Sequence, residues 1–244
     1  MESYLGKVIG SWDSEKINDF WDFASKEPKK YFTHNHGNEI VQFFEPDLSN
    51  NSKILDYGAG LGFLSEILLK KGYQVKCMDS SSDSLNVLDD KLRGYPNYLG
   101  AQNLKDLQNT DVKFDVIFVI EVIEHLNDVF LEELMKNVSA LLSNRGQVIF
   151  TTPNNEDLTQ SYIYCPFSDL IFHRWQHVRS WNKKSLSKTL ISMGFNSIET
   201  RETHFLPKPK WKGFNRKTIG LFLEYLKHKV EKKKPHLVAI ASIT

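Results

Sequence analysis

Three glycines and two carboxylates in the first third of the chain have the spacing of a ligand-binding turn. Gly58, Gly60 and Gly62 follow a short apolar stretch that ends in Asp56-Tyr, and a second apolar segment comes directly after them. A strand, a glycine turn and a helix N-terminus together form a backbone cradle, because glycine tolerates positive φ and lets a ligand approach the main chain. Asp79 follows the next apolar stretch, where a carboxylate can accept hydrogen bonds from both hydroxyls of a ribose.

A second polar cluster follows an apolar stretch near the middle of the chain, in the run Glu121-Val-Ile-Glu124-His125. If the turn after that stretch is helical, the three polar residues share one face, because they stand at positions i, i+3 and i+4. Two carboxylates and an imidazole that face one point suit a divalent cation, and the imidazole also suits a general base.

The elements that must position these residues alternate between strand and helix. Strands are predicted at 53–57, 74–79, 97–100, 114–120 and 146–152, and helices at 62–72, 83–93, 127–142 and 183–193. Continuous apolar strands indicate a parallel sheet that is covered on both faces, and the alternation implies right-handed crossovers. The fold class is therefore α/β with a doubly wound sheet. Its strands end at one edge, so the glycine turn, Asp79 and Glu121 are expected to meet there.

The spacing Asp56-x-Gly58-x-Gly60-x-Gly62 is shorter than the dinucleotide-binding pattern Gly-x-Gly-x-x-Gly. It resembles motif I of the class I S-adenosylmethionine-dependent methyltransferases. The resemblance implies S-adenosyl-L-methionine as cofactor and a mostly parallel, Rossmann-like sheet of seven strands, closed by an antiparallel C-terminal hairpin of residues 196–205 and 235–243. It implies cofactor contacts from Asp56, Gly58, Ala59, Gly60, Asp79, Ser80, Gln102, Asn103 and Glu121. Gln102 and Asn103 stand where relatives usually have an aspartate, which leaves the adenine contacts there open.

The Glu-Val-Ile-Glu-His run resembles the Glu-Val-Leu-Glu-His segment of the ubiquinone-biosynthesis O-methyltransferases. It is also similar to the Glu-x-x-Glu-His segment of the small-RNA 2′-O-methyltransferases, where these residues bind metal together with a later histidine. His177 stands in a His-x-x-x-Trp stretch similar to that of the RNA enzymes. The resemblance thus implies either a divalent metal on Glu121, Glu124, His125 and His177, or metal-free catalysis in which His125 and Glu121 act at the reacting centre.

Charge is unevenly distributed along the 244 residues. The formal net charge is +1, yet residues 205–236 contain ten Lys or Arg against two Glu. The segment 206–234 forms a long insert between the two closing strands, and a helix is predicted at 214–230. Its basic residues indicate an anionic partner or membrane surface, with RNA as the less favoured alternative. The apolar stripe that contains Phe222 and Leu226 is expected to pack first on the protein itself.

The organisation predicted from these patterns is a helical cap at 1–45 and a methyltransferase domain at 46–244, with excursions at 153–181 and 206–234. Four side chains of the cap have two possible roles. They either cover the bound cofactor or only pack in the core and at its edge: Trp21, Tyr31, His34 and His36. The aromatic excursion is either a substrate lid or core packing around a local helix. Two distant cysteines and no apolar stretch of membrane-spanning length predict a cytoplasmic protein.

The leading interpretation is an S-adenosylmethionine-dependent O-methyltransferase that acts on a small-molecule hydroxyl. Its methyl donor is already activated, so the protein has mainly to align the acceptor and remove a proton. Three alternatives stay open: a metal-dependent RNA 2′-O-methyltransferase, methylation of nitrogen or carbon in a small molecule, and a non-catalytic binding protein that keeps the cofactor fold.

Overall fold

The computed structural model describes residues 3–207, 216–231 and 233–243. The strands of this part are β1 (Ser3–Tyr4), β2 (Lys7–Ile9), β3 (Lys53–Tyr57), β4 (Gln74–Met78), β5 (Tyr98–Gln102), β6 (Phe114–Ile120), β7 (Leu142–Pro153), β8 (Tyr162–Cys165), β9 (Leu170–His173), β10 (Ser197–Thr203) and β11 (His236–Ser242). The α-helices are α1 (Ser14–Ala24), α2 (Phe32–Phe44), α3 (Phe63–Lys70), α4 (Ser82–Leu92), α5 (Leu104–Gln108), α6 (Asp128–Leu141), α7 (Lys183–Ser192) and α8 (Arg216–Val230).

The main sheet has seven strands in the order β10-β11-β7-β6-β3-β4-β5. Strands β3 to β7 are parallel, whereas β11 runs antiparallel to both β7 and β10. The predicted α/β class, the mostly parallel seven-stranded sheet and the antiparallel C-terminal pair are confirmed. The chain winds outward from β3 to β5 and then returns to place β6 beside β3. Ligands bind at such a reversal of strand order, at the carboxyl ends of the strands.

Burial on both faces explains why the central strand β6 is continuously apolar. Val116 and Phe118 pack on one face with residues of α2, α3 and α4, and Ile117 and Val119 pack on the other with residues of α6 and α7. Each such side chain, once removed from water, contributes about 1.5–3 kcal/mol to folding. The two apolar layers fix the sheet, and hence the positions of the loops at its carboxyl edge.

A second, four-stranded sheet has the order β1-β2-β9-β8. It joins the N-terminal residues to the excursion 153–181, because β2 pairs in parallel with β9 through Val8↔Leu170 and Ile9↔Ile171. The excursion therefore contains a β-hairpin, and the alternative of packing around a local helix is wrong apart from a single 3-10 turn at Leu158–Ser161. The cap contains the two expected helices, α1 and α2, and also two strands that were not predicted. The domain division after residue 45 stays a prediction.

The insert between the closing strands contains α8, which confirms the predicted helix from residue 216 onward. Residues 214 and 215 of that prediction lie outside the described part. The expectation that the apolar stripe packs on the protein is wrong for Phe222, Leu223 and Leu226, which are 42%, 60% and 40% exposed. Among the described residues, no helix combines the length and the apolar character that a membrane span requires.

Candidate active site

The glycine turn lies between β3 and α3, as predicted. Gly58, Gly60 and Gly62 have φ values of 78°, 54° and 69°, in the left-handed region that disfavours side chains. The backbone N–H groups of Gly58 and Ala59 donate to the Met78 carbonyl at 2.9 and 3.0 Å, which fastens the turn to the end of β4. The turn therefore presents bare main chain at the carboxyl edge of the sheet.

Asp79 lies directly beside this turn. Its Oδ2 accepts a hydrogen bond from the Gly60 N–H at 2.8 Å, and its Oδ1 accepts one from the Ser81 N–H at 3.0 Å. Burial raises the pKa of this carboxyl above its usual value, although the backbone hydrogen bonds oppose the rise. Each oxygen keeps a further lone pair, so the carboxylate can serve a ligand while it holds the turn.

Asp56, at the end of β3, is 3% exposed and lies beneath the turn rather than on its open side. The Ser65 hydroxyl donates to its Oδ2 at 2.5 Å, which links β3 to α3, and burial raises its pKa to about 6. Of the remaining predicted cofactor residues, the Asn103 side chain accepts from the Asp106 N–H at 2.9 Å and so caps α5. Ser80 is exposed.

The cap helices bring aromatic rings over the site. A Cβ atom added at Gly60 would lie 3.0 Å from the ring of Tyr31. The Trp21 ring lies 4.9 Å from the ring of His125, and its Nε1 donates to the Gln176 side chain at 3.2 Å. Trp21 and Tyr31 therefore lie over this edge of the sheet, whereas His34 packs on Phe63 at 4.8 Å and His36 on Phe32 at 4.9 Å.

The turn after β6 is not helical, which corrects the spacing argument made for Glu121. That residue has φ 52°, and its side chain accepts a hydrogen bond from the Thr151 hydroxyl at 2.8 Å. Helix α6 begins only at Asp128, after the Asn127 cap. Burial raises the pKa of Glu121 to about 7, with the Thr151 hydrogen bond opposing the rise and the nearby Glu156 charge adding to it.

Glu124, His125 and His177 nevertheless converge. Their ligand atoms all lie within 4.8 Å of one another, in a group that does not include Glu121. Three of the four predicted metal ligands thus come together within the described part of the chain, and the four-ligand set is not formed there. Glu124 Oε2 accepts from the Thr152 hydroxyl at 3.0 Å, whereas its Oε1 and the His125 Nδ1 are buried without a hydrogen-bond partner.

The two members of this cluster that follow β6 are shielded from water, with exposures of 1% for Glu124 and 8% for His125. Burial raises the pKa of Glu124 well above its ordinary value, and the charge of Glu121 adds to the rise. Burial, together with the nearby His177, lowers the pKa of His125 to about 3. Both shifts favour the uncharged form of the side chain, and the His125 Nδ1 has no hydrogen-bond partner.

Glu156 and His173 complete the cluster, and sequence reasoning missed both. His177 Nδ1 lies 2.6 Å from Glu156 Oε2, and His173 Nε2 lies 3.5 Å from Glu156 Oε1. The His173 and His177 rings stack at 4.5 Å. Burial alone would raise the pKa of Glu156, but the nearby His173 and the hydrogen-bonded His177 lower it to about 2. The available signals were the position of Glu156 just after the fifth predicted strand and the spacing of His173, four residues before His177.

Gln176 holds this arrangement in place. It is fully buried, adopts φ 62°, and donates through its side chain to the His125 carbonyl at 2.9 Å. The neighbouring Val178 N–H donates to the Glu124 carbonyl at 2.9 Å. The loop after β9 is thereby fastened to the turn after β6, which fixes the distance between His177 and His125.

The histidines face a cavity of about 340 Å³ between the main sheet and the small sheet. It is lined by Ile9, Gly10, Ser11, Trp12, Ile17, His125, Asn127, Leu158, Tyr162, His173, His177 and Val178. Its walls are thus mostly apolar and aromatic, with nitrogen bases grouped together. Such a cavity suits an apolar or aromatic molecule that carries a polar group toward the histidines.

Comparison with known proteins places the chain in a family. A family model described as a methyltransferase domain matches residues 24–200. A ubiquinone biosynthesis O-methyltransferase of Pelagibacter ubique is 27% identical over 199 residues, which cover 73% of this chain and 76% of that protein. A protein of the same name from Coxiella burnetii is 28% identical over 156 residues, which cover 62% of this chain and 63% of that protein.

Solved structures share the fold over nearly the whole chain. The DhpI–SAH complex has a TM-score of 0.62 at 15% identity and covers 93% of this chain and 95% of its own. A S-adenosylmethionine-dependent methyltransferase from Clostridium acetobutylicum has a TM-score of 0.59 at 18% identity, with coverages of 93% and 98%. At these identities the likeness establishes the fold, and the chemistry has to be argued from the residues.

Proposed function

The chain belongs to the methyltransferase-domain family as a class I S-adenosylmethionine-dependent enzyme, and we propose that it methylates a hydroxyl oxygen of an apolar or aromatic small molecule. The observation that carries this proposal is the group of three histidines, His125, His173 and His177, that lines a cavity whose other walls are mostly apolar and aromatic. The names of the curated relatives, which are ubiquinone biosynthesis O-methyltransferases, support the same acceptor chemistry.

S-adenosylmethionine supplies a methyl group on a positively charged sulfur. The chain's residues fit this group, because Gly58 and Gly60 have positive φ and carry no side chain at the carboxyl edge of the sheet, and each Asp79 oxygen keeps a lone pair for a ribose hydroxyl. We propose that the remaining predicted contacts come from the neighbouring strand ends and turns, through Ala59, Ser80, Gln102, Asn103 and Glu121, whereas the buried Asp56 supports the turn from beneath. Tyr31 closes the turn from the side of the cap.

Methyl transfer to oxygen requires a group that takes the hydroxyl proton. The acceptor oxygen forms a bond to the methyl carbon, the carbon–sulfur bond breaks with its electron pair going to sulfur, and the proton goes to an imidazole nitrogen. We propose His125 as that base, because burial keeps it neutral near pH 7. The same burial makes it a weak base, and His177, held by the Glu156 carboxylate at 2.6 Å, lies beside it with ring centroids 4.8 Å apart.

Glu121 is proposed as the second titrating residue at the reacting centre. Its carboxyl, with a pKa of about 7, lies at the end of β6, one strand away from the glycine turn. Such a group exchanges a proton readily near neutral pH. Its hydrogen bond with the Thr151 hydroxyl fixes the orientation of the carboxyl. The carboxyl can therefore contact the cofactor or take part in proton transfer without a change in side-chain conformation.

A divalent metal at Glu124, His125 and His177 is a second proposal for the same site. The fit rests on two buried atoms without partners, Glu124 Oε1 and His125 Nδ1, and on ligand atoms within 4.8 Å of one another. A cation there would stabilise an oxyanion on the acceptor. Turnover that is lost on chelation and restored by a divalent ion supports the metal, whereas chelator-resistant turnover leaves the proton to the histidines alone.

The basic insert is proposed to contact an anionic membrane surface. Helix α8 exposes an apolar stripe, in which Leu223 and Val230 are 60% and 78% exposed, within a segment rich in lysine. Exposed apolar residues next to cations suit a lipid interface better than RNA, whose backbone attracts charge without requiring apolar contact. A cytoplasmic location stays a prediction.

The test is methyl transfer from isotope-labelled S-adenosylmethionine to matched acceptors. Phenols and catechols with an apolar tail, the corresponding anilines, and a short RNA duplex are compared at equal concentration. The proposal expects label on the hydroxyl compounds, because the amines and the RNA either lack the group or do not fit the cavity. Label on the anilines or the RNA alone would overturn O-methylation of a small molecule, and no label on any acceptor would favour a binding protein.

A further inference from the structure

We propose that His204, His228 and Glu231 form a second site, outside the active site, that binds a divalent transition-metal cation of the zinc type. His204 follows β10, His228 lies in α8, and Glu231 follows that helix directly. Two imidazole nitrogens and one carboxylate oxygen come within 4.8 Å of one another. This donor set is typical of zinc sites that keep an open position.

Two of the three distances are close to those between neighbouring ligands of one ion, and one of these two contacts, between His228 and Glu231, is a hydrogen bond. Glu231 Oε2 lies 3.2 Å from His204 Nε2 and 3.1 Å from His228 Nδ1. Tetrahedral zinc with bonds of about 2.0 Å places neighbouring ligand atoms about 3.3 Å apart. Small side-chain rotations therefore suffice to bring the three atoms around one cation.

His204 presents a buried nitrogen atom to this cluster. Its Nε2 is buried and has no hydrogen-bond partner, even though Glu231 Oε2 is close. A buried imidazole nitrogen placed beside Glu231 can bind a metal through its lone pair.

A cavity of about 380 Å³ gives access to the cluster. Both histidines line it, together with Glu39 of α2 and Tyr225 of α8. Lys234, which also lines the cavity, opposes a cation, so we expect moderate affinity. The ion would link the end of β10 to the far end of the insert, and a link that closes a long loop restricts the unfolded chain. The site is thus expected to fasten α8 to the domain.

The test uses the full chain, freed of metal by chelation and dialysis. Zn²⁺ binding is measured by calorimetry in competition with a chelator of known affinity, and Co²⁺ is used as a visible-absorbing substitute. His204→Ala, His228→Ala and Glu231→Gln are each expected to weaken binding roughly tenfold or more. Glu231→Asp, which keeps the carboxylate, is expected to retain the Co²⁺ spectrum.

Two control variants separate this site from others. His34→Ala removes a histidine outside both clusters and is expected to bind Zn²⁺ as the wild type does. His177→Ala disrupts the active-site cluster and is expected to leave one Zn²⁺ bound at the second site. Binding that is lost in His177→Ala but kept in the three site variants would overturn the proposal, as would wild-type chain that binds no Zn²⁺. Because metal binding is measured without turnover, failure of the proposed methylation does not affect this result.

Discussion

Replacement of Asp79 by alanine should weaken cofactor binding without removing the glycine turn from the fold. The carboxylate holds the N–H groups of Gly60 and Ser81 at 2.8 and 3.0 Å, and its remaining lone pairs are proposed to accept two ribose hydroxyls. Two net hydrogen bonds correspond to about 1–3 kcal/mol. The dissociation constant for the cofactor should therefore rise by about 5- to 150-fold.

Calorimetric titration with S-adenosylhomocysteine measures this effect directly, and Asp79→Asn is the matched control. Asparagine has nearly the same shape and keeps one carbonyl oxygen as acceptor, so its loss should be smaller than that of alanine. Thermal unfolding of both variants separates loss of the turn from loss of ligand contacts. Equal affinity of wild type and Asp79→Ala would refute the reasoning, as would NAD binding as tight as that of S-adenosylhomocysteine.

Three further predictions concern the turn, its support and the insert. Gly60→Val should abolish S-adenosylhomocysteine binding in calorimetry while the circular dichroism spectrum stays unchanged, because φ is 54° and a Cβ would lie 3.0 Å from Tyr31; normal binding would show that the turn is not the cofactor site. Burial raises the pKa of the Asp56 carboxyl from 3.8 to about 6, so the folded state binds the proton of this carboxyl more tightly than the unfolded state does. The free energy of unfolding should therefore fall by about 3 kcal/mol as pH rises from about 4 to 6. Urea unfolding of Asp56→Asn should lack that slope, and an unchanged slope would assign it to another group. Phe222→Ser should reduce sedimentation with anionic vesicles, and wild-type binding should weaken as salt rises; a wild type that does not sediment at any salt concentration would contradict the membrane role.

Local patterns sufficed for the main sheet and the glycine turn. The apolar run of β6 must be covered on both faces, and the glycine spacing demands positive φ within a few residues, so neighbouring residues alone determine both features. The same holds for the closing strands, whose predicted ends differ from those of β10 and β11 by only a few residues.

Features that depend on distant pairing were not predictable in this way. Strands β1 and β2 have two and three residues, and β2 acquires its partner β9 from a segment about 160 residues further along the chain. Glu156 joins His177 only because the loop after β7 and the loop after β9 meet in space. No local periodicity records such a contact, so the residue that holds His177 was missed although His177 itself was predicted.

The turn after β6 shows how tertiary contacts override a local spacing argument. The Glu121 N–H donates to the Thr151 carbonyl at 3.1 Å, which continues the pairing of β6 with β7 for one more residue. The chain then takes a left-handed conformation, and the helix begins only at the Asn127 cap. Glu121 consequently faces Thr151, while Glu124 and His125 still reach His177 through a non-helical turn.

The most direct test of the proposed chemistry is the turnover of His125→Ala with ¹³C-methyl S-adenosylmethionine and a hydroxyl acceptor accepted by the wild type. NMR of the wild-type product identifies the methylated atom, and calorimetry confirms that the variant still binds the cofactor. We expect a methyl group on oxygen and a fall in kcat of about 10²-fold or more, because the base is lost while the glycine turn that binds the cofactor is unchanged. A methyl group on nitrogen or carbon, or a variant with wild-type kcat, would contradict it.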